Sequence, residues 1–124
     1  MTDKKFDIYE RAFKFAADVA KLLEHMTEST AIYEYQKQLI RSSGSIGANL
    51  SEADGSLSQK EFLNKMGISR REARESKHWL RLIQAVGTIS EEKQLTELNR
   101  LLQESSEILL ILSAIISKVK DKSK

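Results

Sequence analysis

Apolar residues recur at intervals of seven along most of this chain, and this repeat constrains the fold more than any other feature of the sequence. In the second of four such segments it runs through Ile32, Leu39, Ile46 and Ala53 without changing phase. Seven residues make two turns of a helix, so the repeat predicts helices with one apolar side. The 124 residues include no proline and are rich in residues that favour helices. The sequence therefore predicts an all-α protein.

Short polar stretches separate the four segments and carry signals for where a helix ends or begins. Gly55 suits the end of the second segment, and Ser58 with Glu61 forms a capping-box pattern at the start of the third. Short connections between helices of similar length favour an antiparallel up-and-down four-helix bundle. We expect one domain over residues 1–124, with helices at about 3–25, 31–54, 59–86 and 91–120.

Apolar rows also predict which side of the first and last helices faces the core. For the first helix the predicted core row is Phe6, Tyr9, Phe13, Ala16, Ala17, Ala20 and Leu23. The fourth helix carries, beyond its core rows, a further apolar row made of Leu101, Ile108, Ile111 and Ile115. This row widens the apolar face beyond the usual stripe. It is either buried more deeply in its own bundle or forms an oligomer interface, and we take its four residues as interface candidates.

The stretch RSSGSIGANLSEADG, residues 41–55, combines glycines and serines with the same apolar repeat. A glycine-rich phosphate loop needs a preceding strand and a lysine, and neither is present. A helix explains the unbroken repeat, although each interior glycine costs about 1 kcal/mol relative to alanine. Close approach of a neighbouring helix would offset that cost, and the middle of the third helix is also small. We predict a continuous helix packed tightly on the third one, with a phosphate loop or a break near residues 42–44 as alternatives.

Composition and charge exclude several classes of function. The chain has no cysteine, so disulfides, thiolate metal sites and cysteine nucleophiles are excluded. The first residues lack the apolar run of a signal peptide, and no uncharged stretch is long enough to span a membrane. A cytoplasmic protein without membrane contact is therefore the expectation. Because the formal net charge is only +2, attraction for nucleic acid depends on local clusters of charge.

One pattern in the third helix is typical of metal-binding bundles. Glu75 and His78 form a Glu-x-x-His pattern, which di-iron carboxylate bundles use twice. No second copy exists, since the other histidine, His25, has Leu22 at the corresponding place. No serine stands near a general base with a third orienting residue. We predict no enzymatic activity, no metal or other cofactor, and no small-molecule substrate.

The strongest charge signal is a basic stripe on the third helix. Four of its members recur at spacings of four, three and four, and one more arginine lies on the flank, so the candidate nucleic-acid-binding residues are Arg70, Arg71, Arg74, Lys77 and Arg81. Between residues 60 and 81, seven Lys or Arg stand against three Glu. Such a stripe can track phosphates. Glu72 and Glu75 interleave with it, however, as they do on ordinary solvated helix faces, so both interpretations stay open.

The segments IRSSGSIGANLSEADG and EFLNKMGISRREARESKHWLRLI resemble the four-helix-bundle proteins encoded in intervening sequences of bacterial 23S ribosomal RNA genes. That family is related to the accessory proteins of diversity-generating retroelements. The similarity covers residues 40–83 closely and, by helix layout, essentially the whole chain. It implies an up-and-down four-helix bundle, assembly into a ring-like homopentamer, and a role in binding RNA or other nucleic acid without catalysis.

Residues that match the family's pattern include a polar set shared by the second and third helices. Arg41, Asn49 and Glu52 fit the second-helix signature, and Glu72 and Glu75 fit the third. The family's pattern places a glycine directly after the second-helix glutamate, whereas two residues intervene here. Because half-buried charges need partners, we expect these five side chains to form a structural polar network between the two helices.

Taken together, these features predict a non-enzymatic, oligomeric helical bundle that binds RNA or DNA through its basic stripe. The alternative, from another class of protein, is a homo-oligomeric scaffold that binds other proteins and makes no contact with nucleic acid. Charge reversal on the stripe separates the two, because only the first depends on positive charge.

Overall fold

Four long helices account for most of the described chain. The computed structural model describes residues 4–26, 29–87 and 89–122. Its helices are α1 (Lys4–Leu23), α2 (Thr30–Asp54), α3 (Gln59–Val86) and α4 (Glu92–Lys122). Each helix packs against the next along the chain, α1 also packs against α4, and these ranges contain no strand. The predicted all-α, up-and-down four-helix bundle is confirmed.

Local capping chemistry explains where the helices begin and end. The Ser29 hydroxyl accepts the backbone N–H of Ile32 at the start of α2. The Ser58 hydroxyl does the same for Glu61 at the start of α3. Gly87 follows α3 with a φ of 69°, the left-handed conformation that glycine adopts without steric cost. Because such signals are local, the predicted helix ends lie within two residues of the observed ones.

α2 runs unbroken through the glycine- and serine-rich stretch. Residues 41–54 are helical throughout, so their backbone N–H groups bond within the helix and are not free to cradle a phosphate. The phosphate loop and the helix break are therefore both excluded. Gly47 faces α1, where an added Cβ would lie 3.9 Å from the ring of Tyr9, an ordinary contact. At Gly44 an added Cβ would meet nothing within 4 Å, so no neighbouring helix of this chain offsets that glycine.

The contact between α2 and α3 consists of small residues and hydroxyl hydrogen bonds. The Oγ atoms of Ser42 and Ser76 lie 2.8 Å apart. Ser69 Oγ donates to the carbonyl oxygen of Ile46 at 2.9 Å. All three serines are buried, and these bonds satisfy hydroxyls that would otherwise destabilise the core. The middle parts of α2 and α3 therefore pack closely through serines. The expectation that the glycines of α2 make this contact is wrong, because Gly47 faces α1 and Gly44 faces no neighbouring helix of the described chain.

The side of α1 that faces the core is not the predicted one. The buried residues of this helix include Ile8, Ala12, Phe15, Val19 and Leu22. In the predicted row Leu23 is buried, but Ala20 is exposed and Phe13 is 60% exposed; the side chain of Phe6 lies outside the described residues. Both sides of α1 are apolar, and burying the side with the larger residues removes more apolar surface from water.

The four residues of the predicted interface row of α4 differ in burial. Leu101 and Ile108 are completely buried in the core of their own bundle, so their assignment to an oligomer interface is wrong. The core side of α4 consists of Leu98, Leu101, Ser105, Ile108, Leu112 and Ile116. Ile111 and Ile115 are only half-buried, and they lie at the edge of α4 that faces α1.

Candidate nucleic-acid interface

Four cationic side chains lie in a line along the outer side of α3. We call them the basic row, which consists of Arg70, Arg74, Lys77 and Arg81. With a rise of about 1.5 Å per helical residue, the row is about 16 Å long. Its side chains are exposed or half-buried. The helix therefore brings four of the five candidate nucleic-acid-binding residues into one line.

No carboxylate neutralises the basic row within the described part of the chain. None of its four side chains has an ion pair within 4.0 Å or a hydrogen bond there. The fifth candidate, Arg71, differs because its Nε lies 4.0 Å from the buried carboxylate of Glu72. The basic row thus presents four cations that the described fold leaves unpaired.

The neighbouring side of α4 carries a row of uncharged polar residues around the exposed Leu110. Its members, which we call the polar row, are Asn99, Gln103, Ser106, Ser113 and Ser117. Gln84 Nε2 donates to Asn99 Oδ1 at 2.6 Å, so these two residues lie level in the register of α3 against α4. A groove of about 330 Å³ between the two rows is lined by Arg74, Lys77, Ser106, Leu109, Leu110 and Ser113. The polar row was not predicted from the sequence, although its spacing of three and four residues, interrupted only by Leu110, was a usable signal.

The carboxylates of α4 that form ion pairs lie on its opposite side, towards α1. Arg11 Nε donates to Glu104 at 2.9 Å, and its Nη2 lies 3.6 Å from Glu107. The hydrogen bond to Glu104 raises the pKa of Arg11 against the opposing effect of burial. These ion pairs attach α1 to α4 and keep two glutamates away from the basic row.

A second ion-pair cluster joins the same two helices. Arg100 donates to Asp18 of α1 and to Glu97 of its own helix, both at 2.7 Å. Burial raises the pKa of Asp18, but hydrogen bonds from Lys14 and Arg100 outweigh it, so the pKa lies below its usual value. The hydrogen bond from Arg100 likewise lowers the pKa of Glu97. Both carboxylates therefore hold their negative charge to lower pH than usual.

The predicted polar network between α2 and α3 brings together three of its five residues. Arg41 donates through Nη1 to Glu72 at 2.9 Å and through Nη2 to Glu75 at 3.0 Å. The Glu72 side chain is only 5% exposed, so the guanidinium supplies the partner that a buried carboxylate needs. Asn49 donates instead to the carbonyl four residues earlier in its own helix. Glu52 is exposed and lies outside the network.

The Glu-x-x-His pattern of α3 does not form a metal site within the described residues, where no three potential ligand side chains come together. Glu75 is occupied by Arg41, and the His78 ring packs edge-on against Trp79 with 4.9 Å between their centroids. Trp79 also lies 5.9 Å from the ring of Tyr35 on α2. This aromatic cluster is half a turn around α3 from the start of the basic row.

An apolar groove lies open between α1 and α2. It has a volume of about 480 Å³ and is lined mainly by small residues, among them Ala16, Ala17, Ala20, Gly44, Gly47 and Ala48. The large side chains beside it are exposed, Phe13 by 60% and Ile40 by 53%. The open position at Gly44 lies in this groove, so its missing side chain keeps the groove deep.

A second apolar groove lies on the other side of α1, against α4. Its volume is about 370 Å³, and it is lined by Ile8, Ala114 and the two half-buried interface candidates, Ile111 and Ile115. These apolar surfaces are local patches. Within the described ranges, no helix is both long and apolar enough to cross a membrane.

Comparison with known proteins identifies the family. The family model of the 23S rRNA-intervening sequence protein matches residues 4–111. The chain belongs to this family. Among solved structures it is similar to the crystal structure of a protein of unknown function from the S23 ribosomal protein family of Bacteroides thetaiotaomicron. The two are 30% identical with a TM-score of 0.79, and the match covers 93% of this chain and 99% of that chain.

The comparisons establish family and fold without naming a reaction or a ligand. A search of curated proteins finds no match. The resemblance seen in the sequence to the 23S rRNA-intervening sequence family is confirmed. A functional assignment for this family member therefore depends on its own surfaces.

Proposed function

We propose that this protein is a non-enzymatic nucleic-acid-binding protein whose contact surface is the basic row of α3. The observation that carries the proposal is the absence of carboxylate partners for these four cations within the described chain. Cations without protein partners are free to replace the counterions of a phosphate backbone, and release of those counterions favours binding. Specificity, if present, comes from the shape of the nucleic acid rather than from base edges, because phosphate contacts carry no sequence information.

We further propose that the protein acts as a homo-oligomer, in line with the homopentamer that the family resemblance implies. The apolar groove between α1 and α2 is the surface for a second copy. Exposed Phe13 and Ile40 supply apolar area, and the open position at Gly44 allows another backbone to approach closely. Repeating the basic row on several subunits converts weak phosphate contacts into stronger overall binding.

Charge reversal of the basic row tests the proposed function. In the variant Arg70→Glu, Arg74→Glu, Arg81→Glu we expect affinity for a labelled RNA or DNA to fall by at least about a hundredfold at low salt. The dependence of log affinity on log salt should lose about three units of slope, one for each phosphate contact. Fluorescence anisotropy over a range of salt concentrations measures both.

The matched control makes the same change of charge elsewhere. Lys21→Glu, Lys37→Glu, Lys93→Glu alters exposed lysines on α1, α2 and the start of α4, away from the basic row. We expect the control to retain most of its affinity and its salt dependence. Equal losses of affinity in both variants would mean that binding depends only on the net charge of the protein. A wild-type oligomer that binds no nucleic acid would instead favour the alternative function, a protein-binding scaffold.

The assembly surface is tested by light scattering. We expect the wild type to have a mass that is a multiple of 14.1 kDa and that does not change with salt, because the contact is apolar. Phe13→Lys places a charge beside the α1/α2 groove and should shift the mass towards 14.1 kDa. Leu57→Lys changes a leucine that is 97% exposed in the connection between α2 and α3, and should leave the mass unaltered. A wild-type mass of one chain contradicts the proposed assembly.

A further inference from the structure

The polar row of α4 forms the second wall of the surface that carries the basic row. Because Gln84 of α3 bonds to Asn99 of α4, the antiparallel register places Lys77 level with Ser106 and Arg70 level with Ser113. The groove between the helices is lined by Arg74 and Lys77 of α3 and, on the α4 side, by Ser106 and Ser113 together with Leu109 and Leu110. Cations and hydroxyls therefore face the same groove.

The polar row has hydrogen-bonding capacity that the protein itself does not use. The side chains of Gln103, Ser113 and Ser117 form no hydrogen bond within the described part of the chain. Ser106 Oγ donates to the carbonyl of Leu102 at 3.3 Å, which leaves its lone pairs available as acceptors. Gln103 and Ser117 are exposed and the other two serines are half-buried, so a ligand can reach them all.

The ion-paired glutamates of α4 point away from this surface. Glu104 and Glu107 pair with Arg11 of α1, and Glu97 pairs with Arg100. The polar row therefore adds hydroxyl and amide groups beside the basic row without adding negative charge that would repel phosphate. An ordinary solvated helix face mixes both signs of charge.

Hydroxyl and amide groups next to a line of cations match one form of nucleic acid. The minor groove of an A-form RNA helix is wide and shallow and displays ribose 2′-hydroxyls, and proteins recognise it through these hydroxyls together with phosphates. Proteins that bind single strands instead stack bases on aromatic rings. The half-buried Tyr35 and Trp79 lie on the α2 side of α3, away from the groove.

We propose that the basic row and the polar row together bind the minor groove of duplex RNA, with the basic row on phosphates and the polar row on ribose 2′-hydroxyls. This inference rests on the proposed function and adds the class of nucleic acid. It makes the polar row a specificity determinant, because a DNA duplex has no 2′-hydroxyl for it to contact. The protein therefore prefers duplex RNA to duplex DNA of the same sequence.

The test compares duplexes of about 16 base pairs, RNA and DNA of one sequence, by fluorescence anisotropy at one low salt concentration. We expect the wild type to bind the RNA at least about tenfold more tightly. The variant Gln103→Ala, Ser106→Ala, Ser113→Ala should lose most of that preference through weaker RNA binding, with DNA affinity kept within about twofold. Alanine favours helix, so this variant should keep its fold, which circular dichroism checks.

The matched control is Gln38→Ala, Ser45→Ala, Ser51→Ala, the same three types of change on α2. Ser45 Oγ donates to a carbonyl of its own helix just as Ser106 Oγ does. We expect the control to keep the full preference for RNA.

Each other outcome is informative. Equal wild-type affinity for the two duplexes, unchanged RNA binding in the polar-row variant, or tighter binding of the single RNA strand overturns this inference and leaves the proposed function standing. Absence of binding to either duplex and to the single strand overturns both.

Discussion

The arginines between helices and the arginines of the basic row differ in what the fold places beside them. Arg11, Arg41 and Arg100 each donate to at least one carboxylate on a neighbouring helix. The basic row has the uncharged polar row beside it, because α4 turns its paired glutamates towards α1. The placement of carboxylates, more than the number of arginines, therefore decides which cations stay available to a ligand.

The arginines between helices and those of the basic row should differ most in how much stability is lost when one arginine is removed. Arg41→Ala leaves the buried carboxylate of Glu72 without its guanidinium, and we expect the free energy of unfolding to fall by about 2 kcal/mol. Arg74→Ala removes a cation that has no partner in the described chain. It should change the free energy of unfolding by less than about 0.5 kcal/mol. Urea denaturation followed by circular dichroism measures both variants.

A double-mutant cycle serves as the control for that measurement. Glu72→Ala alone and together with Arg41→Ala gives the coupling energy between the two side chains. We expect a favourable coupling for this pair. Equal losses of stability in the Arg41 and Arg74 variants would show that pairing with Glu72 does not make Arg41 more important to the fold than an unpaired arginine.

A smaller effect is expected from giving the basic row a carboxylate. Leu110 is 70% exposed in the groove beside Arg74 and Lys77, so Leu110→Glu places a negative charge next to both cations. We expect nucleic-acid affinity to fall by about fivefold, with little change in stability, because the new ion pair is exposed. Anisotropy and urea denaturation on the same preparation report the two quantities.

Leu57→Glu is the matched control, since it introduces the same charge at a leucine that is 97% exposed in the connection between α2 and α3. We expect the nucleic-acid affinity of this control to be close to that of the wild type. If Leu110→Glu also binds as the wild type, then the groove between α3 and α4 lies outside the contact surface.

The smallest effect on stability is expected from a change of pH. It reports only on the arginines that pair with carboxylates. The pKa values of Asp18 and Glu97 are lowered in the folded chain, so their contribution to stability is present above the unfolded pKa and is lost as pH falls through the folded pKa. We expect the free energy of unfolding to fall between about pH 5 and pH 2, less steeply in Arg100→Gln than in the wild type. Urea denaturation at each pH measures this slope.

Arg81→Gln provides the comparison for pH, because it removes an arginine that has no carboxylate partner in the described ranges. Its pH dependence should run parallel to that of the wild type. A steeper or flatter curve for Arg81→Gln would mean that the basic row interacts with carboxylates in solution.

The helix boundaries could be read from the sequence because their causes are local. Ser58 caps α3 through a bond to a residue three positions away, and Gly87 ends it through its own backbone conformation. The line of the basic row is equally local, since it follows from the helical period. Whether those cations are paired is not local, because it depends on which side of α4 packs beside α3.

The buried sides of α1 and α4 could not be predicted for a related reason. α1 is apolar on two sides, so the pattern alone does not distinguish the row containing Phe15 from the row containing Phe13. Leu101 and Ile108 belong to an α4 face so broadly apolar that the direction of the core within it is ambiguous. In both helices, the side that is buried depends on where the neighbouring helices lie. A helical period does not contain that information.

The serine contacts between α2 and α3 also affect the entropy of binding. Hydrogen bonds at Ser42, Ser69 and Ser76 are spaced along two turns of α3, so a slide of one helix past the other would break all of them together. These bonds thus hold the backbone that carries the basic row in one register against α2. In the complex that we propose with duplex RNA, binding would then restrict mainly the long side chains of the basic row, at about 0.5–1.5 kcal/mol each, with little reorganisation of the backbone.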